Sequence, residues 1–459
     1  MCGIAGCINT KKAAELCFAE LHAIQHRAQD YAGIVTSDGN NLYIQKGAGI
    51  VQDVFTQEDL DLLRGKAAVG HIRYPTVSDE VENDAENSKK EKIQPLIGAF
   101  GNREVALVHN GNLINYDELL SRIKRQRLKS AIDSELILRL FCESEATDDF
   151  ERTFDAVRYA RGTYSLIFLY DDVMIAVRDP YGNRPLSLGV REEGSFLSSE
   201  TVAFDNLGID FVRDIDTGEI LIITKEGMRS MYFDENNLSD KPIPHRLAKC
   251  IFELIYYSHP DSRAFGESVV KFHIRSGELL AIEYPADAQM VVGVPDSAKY
   301  HAVGYSDASG LPRVDGITRS HYVRRTFIEA SQWLRDIKVR RKFTVMRELV
   351  RGRKMVLIDD SVFRLTTMMA VVKLLWEAGP VEIHGRIIAP PIRHPCYYGI
   401  DVPSTAELVA ANHSLDEVRE MCGLTSIEFL SLEGLKSLIP DPENYCFACM
   451  DGNYPIGKP

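Results

Sequence analysis

Apolar residues recur every third or fourth position over residues 13–26 (AAELCFAELHAIQH), which predicts a helix ending near His26 and Arg27. The period then shortens. Gly33-Ile34-Val35-Thr36, the polar run Ser37-Asp38-Gly39-Asn40 and Leu42-Tyr43-Ile44 predict strand, turn and strand in an antiparallel sheet. Ala67 to Tyr74 is a further strand, and Ala106-Leu107-Val108 reads as a strand delivering a tight polar turn at His109-Asn110-Gly111-Asn112. The charged run from Asp79 to Lys92 predicts a solvated surface insertion. Asp133-Ser134-Glu135 opens a helix over LILRLF. Gly162 to Leu169 and Val173 to Val177 are strands, and Arg178 to Leu186 is a loop. The composition turns polar after Asp234, and Lys241-Pro242-Ile243-Pro244 reads as a linker. From Phe265 the rhythm changes again: VVKFHIRSGELLAIEY, MVVGVP, a helix from Ala298, MVLI, TTMMAVVKLLWEAG and VEIHGRIIA alternate helix with short apolar strand. That alternation predicts a parallel sheet covered by helices on both faces, with ligands at the carboxyl ends of its strands.

Composition narrows the classes. A chain of 459 residues allows two or three domains, and 45% hydrophobic with 26% charged residues is ordinary for a water-soluble protein. A net charge of −13 argues against nucleic acid and against anionic membrane surfaces. With no long apolar run and no leader, the expected compartment is the cytoplasm, where the nine cysteines are thiols or metal ligands rather than disulfides.

Three groups of residues carry candidate chemistry. Cys2 follows the initiator methionine, so removing Met1 puts a thiol and an α-amino group on one residue, the second able to activate the first. Arg73 ends an apolar strand, where its fork can clamp a carboxylate or pair with a neighbouring acid, and Asn110 with Gly111 offers two donors for an oxyanion or only a turn. The second group is Lys354-Met355-Val356-Leu357-Ile358-Asp359-Asp360, a buried strand ending in two carboxylates that suit ribose hydroxyls or a substrate-borne Mg²⁺. A loop after it opens a helix at Thr366-Thr367, where phosphate binds well. The third is Cys446-Phe447-Ala448-Cys449, a C-x-x-C compatible with zinc, redox or iron–sulfur chemistry.

The segments MCGIAG, QHRAQDYAGIV, GHIRYPT, HNGNL, DSE, RGTYSL, RDPYGNRPL and SSETVAFD, in this order, resemble the glutaminase domain of class II glutamine amidotransferases and, more narrowly, the amidophosphoribosyltransferase family. KMVLIDDSVFRLTT resembles the phosphoribosyl pyrophosphate (PRPP) motif of type I phosphoribosyltransferases, and Val294-Pro295-Asp296-Ser297 resembles their pyrophosphate loop. Arg325-Thr326-Phe327-Ile328 through Gln332, Arg335 and Arg340-Arg341-Lys342 resembles their flexible loop.

The resemblance implies an α+β N-terminal-nucleophile glutaminase domain of four αββα layers at 2–235 and a linker carrying a cluster cysteine at 236–264. An α/β type I phosphoribosyltransferase domain with a parallel sheet would follow at 265–430, and a tail with the C-x-x-C at 431–459. It implies Cys2 as nucleophile, Asn110 and Gly111 as oxyanion hole, Arg73 and Asp133 on glutamine, and Asp296, Ser297, Lys342, Asp359, Asp360, Thr366 and Thr367 on PRPP, with Mg²⁺ at Asp359 and Asp360. Cys250, Cys396, Cys446 and Cys449 match the ligands of the family's [4Fe–4S] branch. The implied reaction uses glutamine and PRPP to make 5-phosphoribosylamine, glutamate and pyrophosphate in purine synthesis, in a homodimer or homotetramer inhibited by purine nucleotides. No nucleic acid or membrane partner is implied.

The departures are Ala28 and Asp30 in the glutaminase half. In the second half they are Ala298, Arg324, Ala330, Phe343-Thr344-Val345 and above all Leu365, where the family has glycine. A leucine there is expected to strain the backbone or point a side chain at the phosphate. The alternative reading is therefore a paralogue with a degenerate PRPP site, acting as a glutaminase or regulatory subunit.

Overall fold

The computed structural model describes residues 2–74, 91–124, 128–130, 132–192, 194–320, 342–402 and 404–459. The first half carries strands β1 (Gly3–Ile8), β2 (Tyr31–Ser37), β3 (Leu42–Ala48), β4 (Ala67–Arg73), β5 (Leu96–Phe100), β6 (Arg103–Leu113) and β7 (Gly162–Tyr170). They are followed by β8 (Val173–Arg178), β9 (Ser187–Arg191), β10 (Gly194–Ser198), β11 (Asp210–Asp214), β12 (Glu219–Thr224), β13 (Gly227–Phe233) and β14 (Leu238–Ser239). They form two seven-stranded sheets, ordered β11-β9-β10-β1-β4-β2-β3 and β14-β13-β12-β8-β7-β6-β5.

Alternation along the strands builds the layers. Ile4 and Ile8 of β1, Val69 of β4 and Ala106 and Val108 of β6 point into the seam between the sheets, where they pack with Ile167 and Met174. The residues between them face outwards. Ala5, Cys7 and Ile72 meet the helix Ala13–Ala23, while Val105 and Leu107 meet the helices Asp133–Glu143 and Asp149–Val157. The result is helices, sheet, sheet, helices. Small residues let the layers close: a Cβ on Gly3 would stand 2.9 Å from Ile24 Cδ1. The β2–β3 turn is held by Asp38, whose Oδ1 accepts from the N–H of Asn40 and Asn41, both at 2.9 Å.

Two expectations are corrected. His109 to Asn112 makes no turn, because β6 runs through it to Leu113 and pairs with β7, Asn110 opposite Ser165 and Gly111 opposite Tyr164. The glycine is needed for closeness rather than for reversal: a Cβ at Gly111 would lie 2.0 Å from the Thr163 carbonyl oxygen. Of the expected surface insertion at 79–92, residues 79–90 lie outside the described residues; Glu91 is exposed, but Lys92 is buried rather than solvated.

In the second half, Met290–Gly293, Lys354–Asp359, Glu382–Ile387 and Ser426–Phe429 form a parallel sheet in that order. The helices Val269–Glu283 and Lys299–Ser309 pack together in its core, with buried His273 and His301 stacked at 4.0 Å between ring centroids. The cysteine-bearing segments Lys249–Cys250 and Tyr445–Cys446 pair in parallel, which fastens the tail to the segment between the halves. Among the described residues no helix is long and apolar enough to cross a membrane.

Candidate active site

The parity that fills the seam also composes the first site. Cys2 shares the face of Ile4, Arg73 and His71 share the face of Val69, and Asn110 shares the face of Val108, so all four belong to one end of the space between the sheets. His71 is wholly buried, and its Nε2 lies 3.2 Å from the His109 carbonyl, which fixes the backbone just before Asn110. Burial, with the Arg73 charge nearby, pushes His71 down to about 3, so the ring stays neutral and donates from Nε2.

Asn110 is 1% exposed, and its Nδ2 has no hydrogen-bond partner among the described residues. A buried amide N–H left bare costs about 1–3 kcal/mol unless something uses it. Asp133 opens the helix Asp133–Glu143; its Oδ2 accepts from the Leu113 N–H and its Oδ1 from the Ser134 N–H, each at 2.8 Å. Arg73 donates from Nη1 to the Lys92 carbonyl and is half-buried.

Sequence reasoning assigned no role to the buried charges behind Cys2. Arg27 Nε donates to the Cys2 carbonyl at 2.9 Å. Its Nη1 and Nη2 donate to Glu253 at 3.0 and 2.9 Å, and Nη1 also to Glu200 at 2.7 Å. Glu253 in turn accepts from Arg184 Nη1 at 3.3 Å, and the side chains of Arg27, Glu253 and Arg184 are fully buried. Burial would raise the Glu253 and Glu200 carboxyls, but the cations beside them win and hold both below the usual range. The available signal was a lone acid inside an apolar run, Glu253 in CIFELIY, because such a charge folds only if paired.

The second site lies where expected, at carboxyl ends of adjacent parallel strands. The Val294–Ser297 loop, which contains a cis Pro295–Asp296 peptide, follows one strand, and Asp359-Asp360 ends its neighbour. Asp359 and Asp360 are 6% exposed each. Burial pushes Asp359 well up, with the Asp360 charge adding to it. Burial raises Asp360 as well, against hydrogen bonds from Ser297 and Ser361. Two acids held against ionisation favour a bound cation. Asp296 pairs with Arg319 at 3.0 Å, the Lys342 charge is near Asp359, and Thr366 and Thr367 stand exposed at the start of helix Thr366–Ala378. The flexible-loop residues from Arg324 to Arg341 lie outside the described residues.

Leu365 takes φ +60°, the glycine-like conformation, immediately before that helix. Its side chain does not project towards the phosphate loop, as expected, but is 3% exposed in the core of the second half. A left-handed leucine costs about 1–2 kcal/mol, and burying a leucine returns about 1.5–3. The strain is tolerated because the side chain has somewhere to go.

Cys250, Cys396, Cys446 and Cys449 line one cavity with Asn183, Tyr398 and Tyr454. No trio of His, Cys, Asp or Glu among the described residues is set as a ready metal site, so the thiols ring a space rather than meet at a point. Burial pushes the Cys250 thiol up to about 11 and raises Cys446 and Cys449 further, each also disfavoured by its neighbouring cysteines. Thiolates in such a place need a cationic centre between them. The Tyr398 N–H already points at Cys396 Sγ, 3.3 Å away. Cys7, Cys17 and Cys422 are buried, and Cys142 is partly buried.

A family model described as a glutamine amidotransferase domain matches residues 84–206. Among curated relatives, the chloroplastic amidophosphoribosyltransferase of Glycine max is 40% identical over 99% of this chain and 78% of its own length. The amidophosphoribosyltransferase of Bacillus subtilis is 38% identical over 99% and 94%. Among solved structures, the glutamine PRPP amidotransferase of B. subtilis complexed with ADP and GMP superposes with a TM-score of 0.89 at 36% identity, covering 99% of this chain and 97% of that one. A structure described as the allosteric regulatory enzyme of purine biosynthesis gives 0.90 at 37%, covering 99% and 96%.

Proposed function

This chain belongs to the amidophosphoribosyltransferase family, and from that premise we propose that it hydrolyses glutamine at Cys2 and passes the ammonia to PRPP, the first step of purine synthesis. The observation that carries the reading is the bare, buried Nδ2 of Asn110 on the face that Cys2 shares. The Cys2 thiolate, its proton taken by the residue's own amino group once Met1 is removed, adds to the glutamine amide carbon. Asn110 Nδ2 and the Gly111 N–H stabilise the oxyanion. Collapse expels ammonia and leaves a glutamyl thioester, which water cleaves to glutamate and free thiol. Arg73 takes the glutamine carboxylate and Asp133 its amino group; Asp133 is held rigid by its two backbone bonds.

In the second half, Asp359 and Asp360 hold the ribose of PRPP, and Asp296, Ser297 and Lys342 take the pyrophosphate. Thr366, Thr367 and the helix N-terminus take the 5′-phosphate. Mg²⁺ bound with PRPP at the two aspartates would offset charge on the departing pyrophosphate. Ammonia bonds to C1 as the C1–O bond to pyrophosphate breaks, giving 5-phosphoribosylamine. The glycine-like φ of Leu365 supports a working phosphate loop over the degenerate paralogue.

We divide the chain at 235, 264 and 430, as the sequence suggests, and assign a [4Fe–4S] cluster to Cys250, Cys396, Cys446 and Cys449. Three buried thiols and the partly buried Cys396 line one cavity, a donor set that suits an iron–sulfur cluster. Metal analysis showing iron and sulfide supports the cluster, whereas stoichiometric zinc alone rejects it. The B. subtilis structure with ADP and GMP supports purine nucleotides as regulators here. Free thiols throughout the described residues fit a reducing compartment, and we place the protein in the cytoplasm as a homo-oligomer. Glutamine carrying ¹⁵N in its amide tests the transfer: the label should appear in phosphoribosylamine even with unlabelled ammonia in the medium. Full dilution by that ammonia would refute internal delivery.

A further inference from the structure

The loop that bears Cys396 belongs to the second half, yet its backbone lies against the oxyanion strand of the first. Asn112 Nδ2 donates to the Tyr397 carbonyl at 2.9 Å, and Thr163 Oγ1 donates to the Tyr398 carbonyl at 3.2 Å. The same Thr163 hydroxyl accepts from the Asn112 N–H at 3.2 Å. A Cβ on Gly399 would stand 3.3 Å from both the carbonyl carbon and the carbonyl oxygen of Gly111, so only a bare backbone passes there without pressing on the strand.

From the Tyr398 carbonyl a second arm reaches the nucleophile. Arg184 Nη2 donates to that carbonyl at 2.6 Å and Nη1 donates to Glu253 at 3.3 Å. Glu253 takes both guanidinium nitrogens of Arg27, whose Nε holds the Cys2 carbonyl at 2.9 Å. All three side chains are fully buried, and charged groups sealed from water hold their geometry because every alternative leaves a charge unpaired. One loop therefore reaches both parts of the glutaminase constellation, the oxyanion strand at Gly111 and Asn112 and the nucleophile through Arg184, Glu253 and Arg27.

We propose that the Cys396–Gly399 loop is a positioning element of the glutaminase site, and that Arg184 and Glu253 are the positioning residues that carry its placement to Cys2. The loop acts on geometry alone, since none of its atoms reacts. Because Cys396 lines the thiol cavity, that cavity and the glutaminase site share an anchor, and the tail joins it through Tyr398, whose hydroxyl donates to the Gly457 carbonyl at 2.8 Å. Glutamine's own contacts at Arg73 and Asp133 are untouched by the loop, so its displacement should lower kcat and leave KM nearly alone.

The proposal rests on Cys2 being the glutaminase nucleophile, and the test separates the two. The full-length protein is treated with an electrophilic glutamine analogue, and labelling of Cys2 is followed by peptide mass spectrometry beside glutamine kinetics and ammonia-dependent pyrophosphate release. No Cys2 labelling in the unaltered protein would sink the parent reading.

With labelling established, Gly399→Ala should slow it, and kcat for glutamine, by roughly 10- to 100-fold, the scale of a small misplacement of reacting groups. KM and the ammonia-dependent reaction should hold. Asn112→Ala, which removes one bond and adds no bulk, should move the same quantities in the same direction by less. Arg184→Lys should restore part of what Arg184→Met loses, since lysine keeps the charge without the fork. Unchanged labelling in Gly399→Ala and Asn112→Ala would overturn the proposal. So would a loss shared equally by the ammonia-dependent reaction, which would make the loop merely structural.

Discussion

The two halves keep their polar groups in opposite states. Around Cys2 the charges are already paired: Arg27 with Glu200 and Glu253, Arg184 with Glu253, Asp133 with two backbone N–H groups. The Asn110 Nδ2 donor is left over for chemistry. At the proposed PRPP site the groups are in conflict instead, with Asp359 and Asp360 buried side by side and both pushed towards the protonated form, while Thr366 and Thr367 stand exposed. The first site is built by folding and the second is completed by its ligand. Preorganised donors are worth most where charge develops late in a reaction, and a cation site pays its electrostatic strain back only when occupied.

The strongest way to separate the halves is Cys2→Ala. Glutamine-dependent activity should fall by roughly 10⁴-fold or more, as loss of a covalent nucleophile does, while ammonia-dependent synthesis persists. Glutamine hydrolysis surviving in that variant would remove Cys2 from the mechanism. Mass spectrometry of the intact protein should show loss of methionine alone.

Acid should act through buried imidazoles. His273, between the helices of the second half, is pushed down to about 4 by burial, from an ordinary value near 6.5. The unfolded chain therefore takes up a proton that the fold refuses. This histidine's contribution is complete above about pH 6.5 and is lost as the pH falls towards 4, by roughly 3 kcal/mol at the end of that window. Urea titrations at a series of pH values should show a shallower acid limb in His273→Gln, by up to one proton. An unchanged limb would mean that His273 protonates in the native state without penalty.

Ligands should stabilise the halves unequally. PRPP with Mg²⁺ at about a hundredfold excess over Kd should add about 2–3 kcal/mol near pH 8, and less near pH 5, where both aspartates hold protons more readily. Equal effects at the two pH values would contradict the shared cation site. Leu365→Gly should change least: relief of backbone strain and loss of a buried side chain nearly cancel, leaving stability within about 1 kcal/mol and PRPP affinity almost unmoved. Calorimetry showing a tenfold gain in affinity would mean that the leucine disturbs the loop after all.

Much of this was legible in the chain. Alternation and helical spacing located the strands that carry Arg73 and Asn110 and the parallel sheet beyond Phe265, because burial on one face leaves a period in the sequence. The Asn-Gly pair misled, since a strand that needs a close neighbour and a hairpin that needs a left-handed turn ask for the same residue. Leu365 misled in part: sequence gives the backbone penalty but not the pocket that receives the side chain. The Arg27–Glu253–Arg184 chain was hidden for another reason. Its members come from motifs far apart, and only the folded molecule brings their charges together.

The most direct test of a chain with two working halves is to measure glutamate and pyrophosphate release on one preparation supplied with glutamine, PRPP and Mg²⁺. The account predicts that both appear together in equal amounts, with pyrophosphate falling away when glutamine and ammonia are withheld. Glutamate release with no pyrophosphate at any PRPP concentration would contradict it and leave a glutaminase attached to a silent second half.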